Sequence, residues 1–283
     1  LNSLQRLNPI MRADNAILIR GGGDLATGVA LRLHRAGLHV LIAELPQPLA
    51  VRRTVSFCEA VYEGSQTVEG ITARLIEAHQ LAAWNEADGI PVIIDPQASL
   101  LLAFRTPVVI DARLVKTSPP PLPAPVALHI GLGPGFHAGQ NCHAAIETRR
   151  SHTLGRVYWD AAPQTDTGAP EGDPRRVLRA PTNGVLYSTK KIGDQCKEGE
   201  PIAAVGDSIV LSPFHGLLRG LIRDGLRVTK GLKIGDIDAR GDISACHLVS
   251  DKALSVGGGA LEALLSQPNI RKTLYSDPAK YLS

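Results

Sequence analysis

Aromatic residues are scarce in this chain of 283 residues, which holds two Trp, five Tyr and four Phe. They nowhere interleave with Lys and Arg in a basic stripe, and the net charge is only +3, so nucleic acid is not an expected partner. The four cysteines, Cys58, Cys142, Cys196 and Cys246, form no Cys-x-x-Cys pair. That spacing supports no closed zinc site and suits a reducing, cytoplasmic setting. His137 and His143 lack a third ligand nearby, so no metal is expected. No apolar run approaches the ~20 residues of a membrane helix, and no secretory apolar segment is visible, so no membrane association is expected.

What the chain does have is glycine in informative places. Residues 16–19 are an apolar run, followed by Arg20, Gly21, Gly22, Gly23 and Asp24. Gly21 and Gly23, with Ala26 in the third slot, fit the dinucleotide fingerprint G-x-G-x-x-G/A. In that fingerprint one small residue makes the turn, one lets backbone approach a pyrophosphate, and one lets helix and strand pack closely. Ala26, Val29, Ala30 and Leu33 share a helical face, Gly37 ends the helix, and a second strand at 40–43 leads to Glu44. An acid there is placed to meet a ribose hydroxyl pair. Asp24 caps the helix, and Arg20 is the cation that a nearby phosphate would need.

Residues 49–59 read as a helix whose apolar face is Ala50, Thr54, Phe57 and Cys58. Arg52 and Arg53 then point away from the core, either as solvated charges or as a clamp for phosphate or carboxylate. A strand is expected at 67–75 and a helix at 76–85. Short β-rich runs at 91–95 and 107–111 each end in an acid. A second glycine loop, Gly133, Pro134, Gly135 and Phe136, follows a strand and is expected to wall the ligand's other side. Glu147 and His152 are titratable but no spacing gives either a catalytic role, so no catalytic residue is assigned. A third cluster at 257–259 precedes a short helix and reads as an anion site or a hinge.

The second half repeats itself. Pro181, Gly184, Gly193, Gly199 and Ile202 recur 32 residues on as Pro213, Gly216, Gly225, Gly231 and Ile234. Two β-rich copies broken by glycine turns predict a small pseudo-symmetric all-β unit. It resembles the biotinyl/lipoyl-like barrel-sandwich hybrid, but the hairpin at 206–211 contains no lysine, so covalent biotin or lipoate is not expected.

The motifs together, Arg20 to Gly28, Glu44 with Pro48 and residues 52–64, Gly133 to Phe136, Ile146-Glu147-Thr148, Arg219-Gly220 and residues 233–236, resemble the YqeB-type accessory proteins of the selenium-dependent molybdenum hydroxylase system. That family is distantly related to xanthine dehydrogenase accessory factors. The resemblance implies a maturation factor that binds a nucleotide-bearing molybdopterin or related phosphorylated ligand, with a molybdenum hydroxylase or its maturation machinery as partner. Gly21, Gly22, Gly23, Asp24, Glu44, Arg52, Arg53, Gly133, Pro134, Gly135 and Phe136 form the expected site. An NAD-dependent oxidoreductase and a non-catalytic scaffold with a vestigial nucleotide site are the alternatives; enzymatic activity and homo-oligomerisation stay open. The expected fold class is α/β: a loose tail at 1–13, a Rossmann-like domain at 14–158, a linker at 159–178, a barrel-sandwich hybrid at 179–240, and a C-terminal segment at 241–283 packing back on the first domain.

Overall fold

A computed structural model describes residues 15–165 and 173–275; the expected tail and part of the expected linker lie outside these residues. The first part runs β1 (Ile17–Arg20), α1 (Asp24–Arg35), β2 (Val40–Glu44), α2 (Ala60–Glu63), β3 (Ser65–Val68), β4 (Ile71–Leu75), β5 (Ile90–Ile94), α3 (Leu100–Ala103), β6 (Val108–Asp111), β7 (Leu128–Leu132), β8 (Ala144–Ile146) and β9 (Val157–Tyr158). These strands form one nine-stranded sheet in the order β3-β4-β5-β2-β1-β6-β7-β8-β9. The strands from β4 to β8 pair in parallel, and β3 and β9 close the edges antiparallel.

The continuous apolar runs of β1, β2 and β6 are buried on both faces, as parallel strands require. Ile17, Ile19, Val40 and Ile42 face one core with α1, while Leu18, Leu41, Ile93 and Val109 face the other. This is the two-residue alternation of a pleated strand.

The expected Rossmann-like domain is corrected here. Among the described residues only the β1–β2 crossover passes through an α-helix longer than four residues. The second face is covered by α3, a 3-10 turn (Ala78–Ala83) and chain around Leu122, Ala124 and Val126. The helix expected at 49–59 is instead two 3-10 turns, Arg53–Val55 and Phe57–Glu59. The amides explain why: Phe57 N donates to Thr27 Oγ1 at 2.9 Å and Cys58 N to the Gly22 carbonyl at 2.9 Å, so neither bonds back along its own helix. The strand expected at 67–75 is a hairpin, because Glu69 and Gly70 both take positive φ.

The second part contains β10 (Val177–Arg179), β11 (Gly184–Ser188), β12 (Gln195–Cys196), β13 (Pro201–Val205), β14 (Ser208–Leu211), β15 (Gly216–Leu221), β16 (Arg227–Val228) and β17 (Lys233–Asp238). They make two four-stranded sheets, β10-β17-β15-β12 and β14-β13-β11-β16. The expected barrel-sandwich hybrid is thus corrected to two open antiparallel sheets on one core that includes Leu186, Ile202, Leu218 and Ile234. The sequence repeat is visible in the pairing: β11 of the first copy bonds β16 of the second, and β15 of the second bonds β12 of the first.

The chain then returns to the large sheet with α4 (Asp251–Leu265) and α5 (Pro268–Leu274), whose Ala253, Val256, Ala260 and Ile270 join the α1 core. The glycine cluster at 257–259 lies inside α4 rather than ahead of a helix. Gly257 and Gly28 let α4 and α1 cross closely; a Cβ on Gly28 would stand 2.6 Å from the Ala253 Cβ. No helix among the described residues is long and apolar enough to cross a membrane.

Candidate functional site

The strand order reverses about β1, with β2 and β5 to one side and β6, β7 and β8 to the other. Such a reversal opens a crevice beyond the carboxyl ends of the strands. Arg20 ends β1, Glu44 ends β2, Asp95 follows β5 and Asp111 ends β6, so four charged residues converge there. Above them stands the antiparallel part, which contributes Arg176, Arg219 and Lys233. The cleft between has a volume of about 910 Å³, within the range of small-molecule sites.

Its floor is built on Asp111, which is fully buried. Arg20 Nη1 donates to Asp111 Oδ2 at 3.2 Å. Arg113 grips the same carboxylate through Nε at 2.8 Å and Nη2 at 2.6 Å. The opposite wall repeats this arrangement on Asp236, also fully buried: Arg219 Nε donates to its Oδ2 at 2.7 Å and Arg176 Nη2 at 2.9 Å. Each buried carboxylate therefore fixes two guanidiniums; on the second wall Arg219 Nη1 also lies 3.6 Å from Asp238, whose charge Arg240 matches in turn, so each wall keeps one positive charge in excess. Burial holds the Arg20 guanidinium below its ordinary value, with Asp111 opposing. Lys233 is open to water yet crowded by protein atoms, and that desolvation lowers its ammonium's pKa, with Asp236 and Asp24 opposing. Arg149, Arg150 and Lys252 complete the lining; Arg150 is paired with Asp251.

The expected site residues separate into two groups. Gly21, Gly23, Asp24, Glu44, Arg52 and Pro134 line the cleft; Gly22, Arg53, Gly133, Gly135 and Phe136 do not. Gly22 packs on Cys58, where a Cβ would meet the Cys58 nitrogen at 2.9 Å, and its amide donates to Glu44 Oε2 at 2.6 Å. Glu44 Oε1 accepts from Leu45 N at 2.7 Å. Both Glu44 oxygens thus accept from amides of the protein's own backbone. Burial raises its pKa, and the two amide bonds oppose the rise.

Arg52, expected to point outward, is buried, and its Nη2 donates to the carbonyls of Ala245 at 2.8 Å and Leu248 at 2.9 Å. Arg53 Nε donates to the Leu221 carbonyl at 2.7 Å, tying the two parts of the molecule together. Phe136 is fully buried edge-on against His129, and Gly135 is pressed on the carbonyls of Thr117 and Val115, so the second glycine loop is packing except at Pro134. Burial first, then the carboxylates of Glu44, Glu59 and Asp24, push the Cys58 thiol well above its ordinary value, which leaves it protonated and unreactive. Glu147 is buried, its oxygens accepting from Arg149 N at 2.7 Å and Gln164 N at 2.8 Å. Among the described residues no group of three His, Cys, Asp or Glu could hold a metal.

Sequence reasoning missed Arg113, Arg149, Arg150, Arg176, Arg219, Lys233 and Lys252. A signal existed in the Asp-x-Arg step. In Asp111-Ala112-Arg113 and again in Asp238-Ala239-Arg240 the carboxylate accepts both the arginine's amide and its guanidinium.

The fold and cleft define an α/β protein with a cation-lined pocket between a mixed parallel sheet and an antiparallel unit. The chain is 46% identical over 254 residues to the uncharacterized protein YqeB of Escherichia coli strain K12. The match takes in 88% of this chain and 47% of that protein, so the chain spans about half the length of the curated relative it matches. No family model matches. Among solved structures the chain is similar to a succinylglutamatedesuccinylase/aspartoacylase from Rhodobacter sphaeroides, with a TM-score of 0.30 and 11% identity over 80% of this chain and 86% of that one. It is similar also to a succinylglutamate desuccinylase from Silicibacter sp. TM1040, with a TM-score of 0.23 and 13% identity over 80% of this chain and 85% of that one.

With both Glu44 oxygens accepting from backbone amides and Gly22 sealed by Cys58, the expected molybdenum-hydroxylase accessory role and its NAD-dependent alternative are withdrawn.

Proposed function

We propose that this chain binds a small, multiply anionic molecule in the cleft between its two parts. The observation that carries the reading is the pair of buried aspartates, Asp111 and Asp236, each holding two arginines that line the same cavity. Burying charge costs several kcal/mol per ion, and apolar residues of similar size would stabilise a wall at least as well. Guanidiniums fixed in this way keep N–H groups for a carboxylate or phosphoryl group without further ordering of long side chains. A concave, partly desolvated wall also strengthens the field of the unbalanced charges. Because the cations stand on two facing walls, the ligand carries anionic groups at two ends.

Isothermal titration and thermal unfolding with pyrophosphate and citrate, against sodium chloride at matched ionic strength, test this. Both polyanions are expected to bind one per chain and raise the melting temperature, since a ligand stabilises the state it binds. Arg113→Gln and Arg219→Gln are each expected to weaken binding by roughly tenfold, the worth of one charge-assisted pair. No difference from chloride, or equal affinity in the variants, overturns the reading.

A further inference from the structure

We infer that Asp24 selects polyanions that carry a hydroxyl or ammonium donor beside an anionic group. The inference rests on the proposed cleft and deepens it. Three acids line the cavity: Asp24, Glu44 and Asp95. Two are buried and already accept a backbone amide on each oxygen. Glu44 accepts from the amides of Gly22 and Leu45, and Asp95 accepts from Ser99 N and Leu100 N, both at 2.8 Å, at the start of α3. Asp24 is different. Its side chain is 36% exposed; it pairs with Arg52 Nη1 at 3.8 Å, too long for a hydrogen bond, and it also acts on the Lys233 ammonium through its charge.

Arg52 cannot swing to meet it, because its Nη2 is fixed on the carbonyls of Ala245 and Leu248. A negatively charged acceptor is thus left with open hydrogen-bonding capacity in a cavity otherwise built to attract anions. A bare polyanion meets like-charge repulsion there. A polyanion with a neighbouring donor satisfies Asp24 while its acidic groups meet the arginines, so the same residue attracts one class and penalises the other. The opposing account makes Asp24 only a favourable charge at the start of α1, where Gly23 supplies no side-chain cap. That account predicts a stability effect and no change in ligand preference.

Citrate and tricarballylate, which differ by a single hydroxyl, separate the two accounts. By isothermal titration the native chain is expected to bind citrate about tenfold more tightly than tricarballylate, the scale of one hydrogen bond to a charged group. Asp24→Ala is expected to bring that ratio close to one and to tighten tricarballylate, the like charge being gone. Asp24→Asn, which keeps an acceptor without the charge, is expected to retain part of the preference. A ratio near one in the native chain, or one unchanged by Asp24→Ala, overturns the inference while leaving the anion cleft standing. Failure of citrate, tricarballylate and pyrophosphate alike overturns both.

Discussion

At the scale of single residues, charges in this protein are placed rather than scattered. Asp111 and Asp236 are each surrounded by two arginines, and His129 sits one strand away from Asp111, buried and edge-on to Phe136 at 5.8 Å. The His129 Nε2 has no hydrogen-bond partner among the described residues, and burial pushes its pKa from 6.5 down to about 4, with Asp111 opposing. The native state therefore holds the ring neutral while the unfolded chain protonates it below about pH 6.5. Its contribution is intact above that pH and is lost as pH falls towards 4. Urea unfolding between pH 7 and pH 4 is expected to show a decline in stability on the order of 3 kcal/mol from this residue. His129→Leu removes that part of the slope; an identical slope in the variant refutes the assignment.

At the scale of elements, the contact between α1 and α4 depends on the absence of side chains at two positions. A Cβ on Gly28 would lie 2.6 Å from the Ala253 Cβ and 2.8 Å from the Ala253 carbonyl, whereas one on Gly258 would meet nothing within 4 Å. The two helical glycines thus predict opposite outcomes. Gly28→Ala forces the helices apart and is expected to destabilise by about 1–3 kcal/mol despite its better helix propensity. Gly258→Ala gains propensity without a clash and is expected to stabilise by about 0.5–1 kcal/mol. Chemical denaturation of both variants, with the same sign for each, would refute the packing argument. The elements that local pattern made legible were β1, α1, β2 and the glycine turns of the repeat, whose apolar runs, helical face and punctuating glycines lie within each element. Residues 49–59 carried a helical pattern yet gave 3-10 turns, since Phe57 and Cys58 bond to α1 and its loop. The cluster at 257–259 read as an anion site or hinge because the partners that reward small residues there, Gly28 for Gly257 and Gly155 for Gly259, are distant in the chain.

At the scale of the whole molecule, the site was half legible for the same reason. Gly21, Gly23, Asp24 and Arg52 lie close together in the chain and were found, whereas Arg113, Arg176 and Arg219 meet only after two separate units have docked. That docking runs through residues 51–63. The Val51 carbonyl lies 2.9 Å from where a Gly220 Cβ would be, and Arg53 Nε donates to the Leu221 carbonyl at 2.7 Å. Arg223 reaches back to Glu59 at 3.1 Å and to Glu63, stacked 4.7 Å over the Tyr62 ring. If these contacts hold the cleft's walls in register, the native chain melts in one calorimetric transition. Arg53→Ala combined with Arg223→Ala is then expected to split it in two, because each unit keeps its own core. Pyrophosphate, by bridging the Arg113 floor and the Arg219 wall, is expected to draw the two transitions of that variant back together. A single transition in the variant without pyrophosphate would assign the joint to the Gly220–Val51 packing instead. Two transitions that pyrophosphate leaves apart would mean that the ligand is held by one wall alone.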